Sequence, residues 1–385
     1  MSQKAVKVWV WGSILLLVCG MAFAGGTKEG GAAAAPAIAA PEVLASEMAS
    51  IQKEFATVSS TGIKAVSTDT LKLTPDEIAT VKAKNLKVAW LFGEQSAWSQ
   101  GILAGSQKAM AELNMKLVFT ADAAFDPAKQ KTDIENALAV KPDIMLSLVV
   151  DPVSEAQAYR EAATAGVKLA FIDELPEGFR QKTDYVGVVS SDLVNLGKAA
   201  AEMMAKAIGG KGKIGFMYYD TKYHNTNMRE AAFLYTIQKN YPNIQVVAVQ
   251  GITDAQSSGV VASAMITQHP DIVGLFSPWD GPAEAVVAAC RSANRSDIKV
   301  VTFDFGAANA LDMVKGGNVA GIVVDDPFQM GYSLIILGAY GVLGKDAPAF
   351  SIVNASKADG KNVVDVWRKV MGADPPPEII QAAGK

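Results

Sequence analysis

Six stretches of this chain place acidic or aromatic side chains just after an apolar run. Gly93-Glu94-Gln95-Ser96-Ala97-Trp98-Ser99 follows Lys87–Phe92, and Asp173-Glu174 follows Lys168–Ile172. Asp220 to Asn225, and then Arg229, follow Lys213–Tyr218. Ser277-Pro278-Trp279-Asp280 follows Asp271–Phe276, Asp304 follows Ile298–Phe303, and Asp325-Asp326 follows Val319–Val324. A single Asp in such a place is commonly a turn residue or a helix cap. Its recurrence on both halves of the chain points instead to a shared rim on which carboxylates (Asp173, Glu174, Asp280, Asp304, Asp325) and two indoles (Trp98, Trp279) converge. Carboxylates accept hydrogen bonds from hydroxyls, a flat ring packs on the C–H face of a polyhydroxylated ring, and Arg229 adds a donor fork. That chemistry suits a small neutral sugar or polyol. An amine-bearing or nucleoside-like solute is the alternative, its positive charge or ring flanked by Trp98 and Trp279. An anion is disfavoured, because only Arg229 and Lys222 would offset the repulsion of the carboxylates.

Residues for covalent or metal chemistry are scarce. Two His and two Cys leave little material for a zinc site or a disulfide scaffold. The phosphate-cradling GxxxxGK[ST], a GxGxxG opening a helix after a strand, and the GxSxG elbow are absent. Asp325 and Asp326 are adjacent, so on a strand end they point apart and form no acid/base pair. His269, in Gln268-His269-Pro270-Asp271, reads as a helix-end residue. Cys290 sits beside Val286 and Val287 in an expected helix Pro282–Ala293, as a buried, inert thiol. The expectation is no catalytic residue, no metal and no cofactor. A periplasmic carbohydrate-active enzyme working through the strand-end carboxylates is the enzymatic alternative.

Elements that could present such a rim are written along the chain. From residue 86 onward, short apolar runs alternate with segments of helical spacing, as in Ile102, Ala109, Met110 and Leu113. Besides the six runs above other than their loops, the strand-like runs are Lys116–Thr120, Asp143–Val149, Tyr185–Val189 and Ile244–Val249. Continuous apolar strands covered by helices are the mark of a parallel sheet. Ten strands are too many for one open sheet at this spacing, and the break falls near Ser190–Asp192, before a long helix Leu193–Ile208. Two βα lobes sharing a cleft follow, as the 385 residues also suggest. With 35 basic against 39 acidic residues, nothing indicates a nucleic-acid surface.

Residues 1–24 carry Lys4 and Lys7, an apolar run Val8 to Cys19 and an Ala22-Phe23-Ala24 end, the pattern of a cleaved secretory signal peptide. Leu16-Leu17-Val18-Cys19-Gly20 is similar to a lipoprotein box, with Val where Gly, Ala or Ser is usual before the Cys, so a lipid anchor at Cys19 is the alternative. Residues 25–84 read as a linker and an N-terminal embellishment. Within them, Glu42 to Phe55 is an expected helix, and Thr74-Pro75-Asp76-Glu77 a helix start.

In this order the pieces resemble the ribose/galactose-type, or type I, periplasmic sugar-binding proteins of ABC transporters. The resemblance spans about residues 86–370 and rests on Val88-Ala89-Trp90-Leu91-Phe92 with Gly105-Ser106-Gln107-Lys108, on Lys141-Pro142-Asp143-Ile144 with its echo His269-Pro270-Asp271-Ile272, and on Val301-Thr302-Phe303-Asp304. It implies an α/β fold of two Rossmann-like lobes with parallel sheets, joined by three crossing segments near Ser190–Leu193, Val324–Pro327 and Val353–Ser356. The N-terminal lobe would take residues 85–191 plus 326–354, and the C-terminal lobe residues 192–325 plus 355–385. It implies ligand contacts by Ser96, Trp98, Asp173, Arg229, Asp280, Asp304 and Asp325. Glu174 stands where the family often has Arg, and Trp279 where it has Asn. The implied partners are ABC permease subunits and, as such proteins often serve chemotaxis, a chemoreceptor, with the protein itself monomeric. Sugar-responsive repressors share the fold but begin with a DNA-binding helix pair, and here that position holds the leader and an Ala/Gly tail.

Overall fold

The computed structural model describes residues 39–384 apart from Glu94. The leader expected at residues 1–24, with Cys19, lies outside the described residues, as does the linker up to residue 38. Along the chain the elements are α1 (Ala45–Lys53), β1 (Val66–Ser67), α2 (Pro75–Lys84), β2 (Lys87–Phe92), α3 (Ala97–Glu112), β3 (Lys116–Asp122), α4 (Pro127–Ala139), β4 (Ile144–Leu148) and α5 (Ala156–Thr164). Then follow β5 (Lys168–Ile172), β6 (Gly187–Ser191), α6 (Leu193–Ala207), β7 (Gly212–Tyr219), α7 (His224–Asn240), β8 (Ile244–Ile252), α8 (Ser258–Gln268), β9 (Ile272–Ser277) and α9 (Asp280–Ser292). The last are β10 (Lys299–Phe303), α10 (Ala307–Val314), β11 (Val319–Val324), α11 (Pro327–Leu343), β12 (Phe350–Val353), β13 (Ser356–Ala358), α12 (Val363–Met371) and α13 (Pro377–Ala382).

All ten expected runs form strands. Several bounds shift: β3 runs on to Asp122 and β8 to Ile252, and because Tyr185 buries its ring in the core and bridges to Gln181, β6 spans Gly187–Ser191. The strands divide into two sheets, ordered β1-β12-β6-β5-β4-β2-β3 and β13-β11-β10-β9-β7-β8. Every pairing is parallel except β13 on β11. Strands such as β4, buried at each of its residues, carry apolar side chains on both faces because helices cover both. On the first sheet α2, α3 and α11 build one core, with Ile102, Leu146 and Ile335, while α4 and α5 build the other around Tyr159 and Phe171. On the second, α6 and α7 pack around Phe216 and Phe233, and α8, α9, α10 and α12 around Leu275, Val286 and Trp367.

The chain passes between the sheets three times: from β6 into α6, from β11 into α11, and from β12 to β13. The two helices that receive these crossings are started locally. Asp192 accepts from the Asn195 N–H and Asp326 from the Gln329 N–H, with Pro327 opening α11. Helix α11 lies very close to α3, because Gly105 and Gly331 present no side chain at the contact. A Cβ on Gly105 would stand 1.8 Å from the Phe328 carbonyl oxygen, and one on Gly331 1.9 Å from that of Ile102.

The expected helix from Glu42 to Phe55 stops at Lys53, after a 3-10 turn at Glu42–Leu44. Its Leu44, Met48 and Ile51 are buried against the second lobe, whereas Phe55 lies beyond the helix and leans on Tyr235 with ring centres 5.7 Å apart. Helix α2 begins as expected, with a reciprocal Thr74–Glu77 capping box and Pro75 in its first turn. It packs on the first lobe through Val81.

Candidate functional site

The carboxyl ends of β2, β5, β7, β9, β10 and β11 carry the residues singled out above. Two of them occupy equivalent places in the two lobes. Asp173 follows β5 and Asp304 follows β10, each with its N–H donated to the neighbouring strand (Val189 and Val323 carbonyls) and each in the left-handed region at φ 59° and 62°. Asp tolerates that conformation better than most side chains, and its use here turns the chain sharply at the strand end.

Asp304 is gripped by Arg229, which donates from both terminal nitrogens at 3.0 and 3.2 Å. Arg229 also donates to the Pro278 carbonyl at 3.0 Å, and its guanidinium lies 4.5 Å from the Phe303 ring centre. Its Nε has no hydrogen-bond partner among the described residues. Asp173 has no such cation pair. It accepts from the Ser190 hydroxyl at 2.7 Å and from the Asn225 amide at 3.1 Å, the latter reaching over from α7 of the other lobe. Burial pushes the Asp173 carboxyl up to about 8; Ser190 and Arg229 oppose this, and the charges of Asp325 and Glu174 add to it.

Asp325, on the β11–α11 crossing, accepts from the Ser191 hydroxyl at 2.6 Å and from the Trp98 indole N–H at 3.0 and 3.2 Å. Burial and the Asp304 charge raise it to about 6 against those two donors and Arg229. Trp98 is presented by the first turn of α3, where Ser96 and Ser99 form a reciprocal cap. A cavity of about 10 Å3 between the lobes is lined by Trp98, Asp304, Phe305, Val324, Asp325, Pro327, Val370 and Met371. That volume is about one water, so the described arrangement has the lobes shut on each other. A groove of about 610 Å3 lies elsewhere, at the amino ends of β10 and β11, lined by Lys206, Lys299 and Lys361 among others. Ligands of open α/β sheets bind at the carboxyl ends, which favours the small interlobe space.

The structure therefore brings together Trp98, Asp173, Arg229, Asp304 and Asp325. The other residues named for the rim stand at the same strand ends and make contacts of their own. Glu174 follows the sharp turn at Asp173 onto the flank of the cleft, where it meets Ser60 and the His224 charge. Ser96 uses its hydroxyl oxygen as the cap of α3. Trp279 packs edge-on against Tyr219, ring centres 5.4 Å apart, and on the second-lobe core. Asp280 stands in the first turn of α9 against Gly306 and Asn309. Asp326, expected to point away from Asp325, caps α11.

Sequence reasoning placed Asn225 and Tyr223 in a strand-end stretch but did not single them out as site residues. Asn225 lies one helical turn before Arg229, on the same face of α7, and that i, i+4 spacing is the signal that finds it. Tyr223 is half-buried near the charges of Asp173, Glu174 and Arg229. Among the described residues no cluster of His, Cys, Asp or Glu is arranged to hold a metal ion, and no helix is long and apolar enough to cross a membrane.

The sequence profile of the family described as "Periplasmic binding protein domain" matches residues 92–346. The ribose import binding protein of Bacillus subtilis is 27% identical over 228 residues, which cover 59% of this chain and 72% of that protein. Among solved structures, an ABC transporter solute-binding protein from Agrobacterium vitis with bound alpha-D-tagatopyranose aligns with a TM-score of 0.66 and 25% identity, over 74% of this chain and 99% of that one. A carbohydrate transporter solute-binding protein from Agrobacterium radiobacter, in complex with D-arabinose, aligns with a TM-score of 0.64 and 26% identity, over 74% and 99%.

Proposed function

Because this chain belongs to the periplasmic binding protein domain family, we propose that it is the extracytoplasmic solute-binding component of an ABC importer, closing its two lobes around a small neutral sugar or polyol. The observation that carries the reading is the meeting of Trp98, Asp173, Asp304 and Asp325 at the strand ends between two lobes of this fold. The sugars held by the Agrobacterium structures, and the ribose import of the Bacillus relative, support the ligand class. Charge supports neutrality. Arg229 offsets Asp304, while burial moves Asp173 and Asp325 toward their protonated forms, so the site does not present a block of negative charge to a cation.

The lobes of this reading are residues 85–191 with 326–354, and residues 192–325 with 355–385, hinged on the three crossings. Opening parts the Asn225–Asp173 bond, and ligand hydroxyls then take up the groups it frees together with those of the Trp98–Asp325 pair. A ligand that contacts both lobes gains those contacts only on closure, so binding shifts the equilibrium toward the closed form. The leader at residues 1–24 supports export with cleavage after Ala24, or anchoring at Cys19. The protein acts as a monomer, without catalysis, and delivers its sugar to permease subunits; a chemoreceptor is a second partner of the same closed form.

Isothermal titration against pentoses, hexoses and polyols, with amine-bearing and phosphorylated counterparts, tests the proposal. Tight binding of a neutral member near one-to-one, with the ligand recovered unchanged, is expected. Trp98→Ala should weaken that binding by about 1–3 kcal/mol, roughly 5- to 150-fold. Tightest binding by an amine or a phosphate, or recovery of a reaction product, overturns it.

A further inference from the structure

Residues 42–65 connect the lobes a fourth time. At one end, the 3-10 turn and α1 bury Leu44, Met48 and Ile51 in the second lobe against α7. At the other, β1 pairs with β12 at the edge of the first sheet. Between them the chain makes a small hairpin, in which Val58 bridges Lys64 and Gly62 turns the backbone at φ 80°. This hairpin sits against both lobes beside the first crossing. Thr57 donates to Asp192 at 2.7 Å and accepts from the Val194 N–H at 3.0 Å. The Val58 carbonyl accepts from His224 Nε2 at 2.9 Å, in the second lobe, and Ser60 meets Glu174, in the first. All of this precedes residue 92, where the family match begins.

We propose that residues 42–65 are an interlobe strap, whose hairpin latches the closed form by seating between Glu174 of the first lobe and His224 of the second. His224 decides whether the latch holds. Its Nε2 faces the Val58 carbonyl and its Nδ1 faces the Glu47 carboxylate at 3.3 Å, and both partners only accept. An imidazolium satisfies both, and a neutral ring satisfies one. The charged groups facing it are Glu47 from α1 and Glu174 from beyond β5, with the Val58 carbonyl from the strap. Burial disfavours the charge on His224, but Glu47, Val58 and Glu174 outweigh it and raise its pKa above the ordinary value. A raised pKa gives an interaction that is full at low pH and is lost as pH rises through the raised value. The latch is therefore tight in acid and loosens in alkali.

This inference concerns lobe movement without ligand, so its test is independent of which solute binds. Spin labels are placed through Val153→Cys on the first lobe and Val260→Cys on the second, both exposed positions, in a full-length Cys19→Ser background that leaves the buried Cys290. Pulsed dipolar distances are then read without ligand at pH 6 and pH 9. The open, longer-distance population should rise at least threefold at pH 9. His224→Gln should show the larger open population at both pH values, and Thr57→Ala should raise it at pH 6. Should His224→Gln not fold, the pH series of the otherwise unchanged protein and Thr57→Ala decide. Identical distributions at both pH values overturn the proposal. So does a full pH response in His224→Gln, which would assign the effect to Asp173 and its Asn225 bond.

Discussion

Replacing Asp304 by Ala should destabilise the protein by about 3 kcal/mol, at the lower end of the roughly 3–5 kcal/mol expected when one partner of a buried ion pair is removed. The Arg229 side chain is only 8% exposed and that of Asp304 17%, so water does not screen the pair effectively. Arg229 cannot escape by losing its proton. With Asp304 gone, two donated bonds at 3.0 and 3.2 Å go with it. What remains is the Pro278 carbonyl and the Phe303 ring, with Nε still unpartnered among the described residues. The nearby Asp325 charge returns part of the loss, which sets the lower end of the range. Asp304→Asn keeps one acceptor and the shape of the side chain, and should cost about 1–2 kcal/mol. Adding Arg229→Met to Asp304→Ala removes the orphaned charge and should recover most of the stability. Urea unfolding at neutral pH, followed by circular dichroism with the m-value checked against the parent, measures all three. A cost under about 1 kcal/mol for Asp304→Ala, or no recovery in the double variant, would refute the reasoning.

Two further outcomes follow from single contacts. Glu230 is fully buried, accepts from the Tyr219 N–H at 3.0 Å through one oxygen, and has no partner among the described residues for the other; burial raises it to about 8 against Tyr219, Arg229 and Asn227. A raised acid stabilises the fold below its ordinary range and loses that contribution as pH climbs through about 8, so Glu230→Gln should match the parent at pH 5 and exceed it by about 1–3 kcal/mol at pH 9, with parallel thermal-melt curves across that range counting against the assignment. Gly105→Ala should lower stability by at least about 2 kcal/mol, because α3 and α11 must separate to clear the Phe328 carbonyl, and a Tm within about 1 °C of the parent would show that the contact is loose.

The strands were legible because each is an unbroken apolar run, and such runs arise where helices cover both faces of a sheet. The same reading passes over β1 and β13. Val66–Ser67 is a strand because β12, far along the chain, offers it an edge, and Ser356–Ala358 because it pairs antiparallel with β11. Neither has a pattern of its own to read. The strand-end carboxylates were legible as positions but not as directions. Glu174 is next to Asp173 in sequence, yet the left-handed turn at Asp173 sends it to the flank, where residues 58–64 wait. No local period encodes that turn, since its alternative is ordinary extended backbone. Ser96 was legible as polar, but the Ser99 that engages it in a cap competes with a ligand role.

The equivalent placement of Asp173 and Asp304 makes their different surroundings informative. The two share backbone conformation and strand-end position, so the difference lies in what faces them. Asp304 faces a guanidinium of its own lobe. Asp173 faces a hydroxyl of its own lobe and an amide of the other. One lobe thus carries an anion–cation pair of its own, and the other a carboxyl that meets the opposite lobe. A closing ligand that donates a hydroxyl to Asp173 favours its charged form, and one that accepts from it favours the protonated form. A sugar or polyol hydroxyl does either, whereas an ammonium can only donate and a phosphate dianion can only accept. A hydroxyl therefore fits the Asp173 carboxyl in either protonation state, whereas each ion fits only one of them.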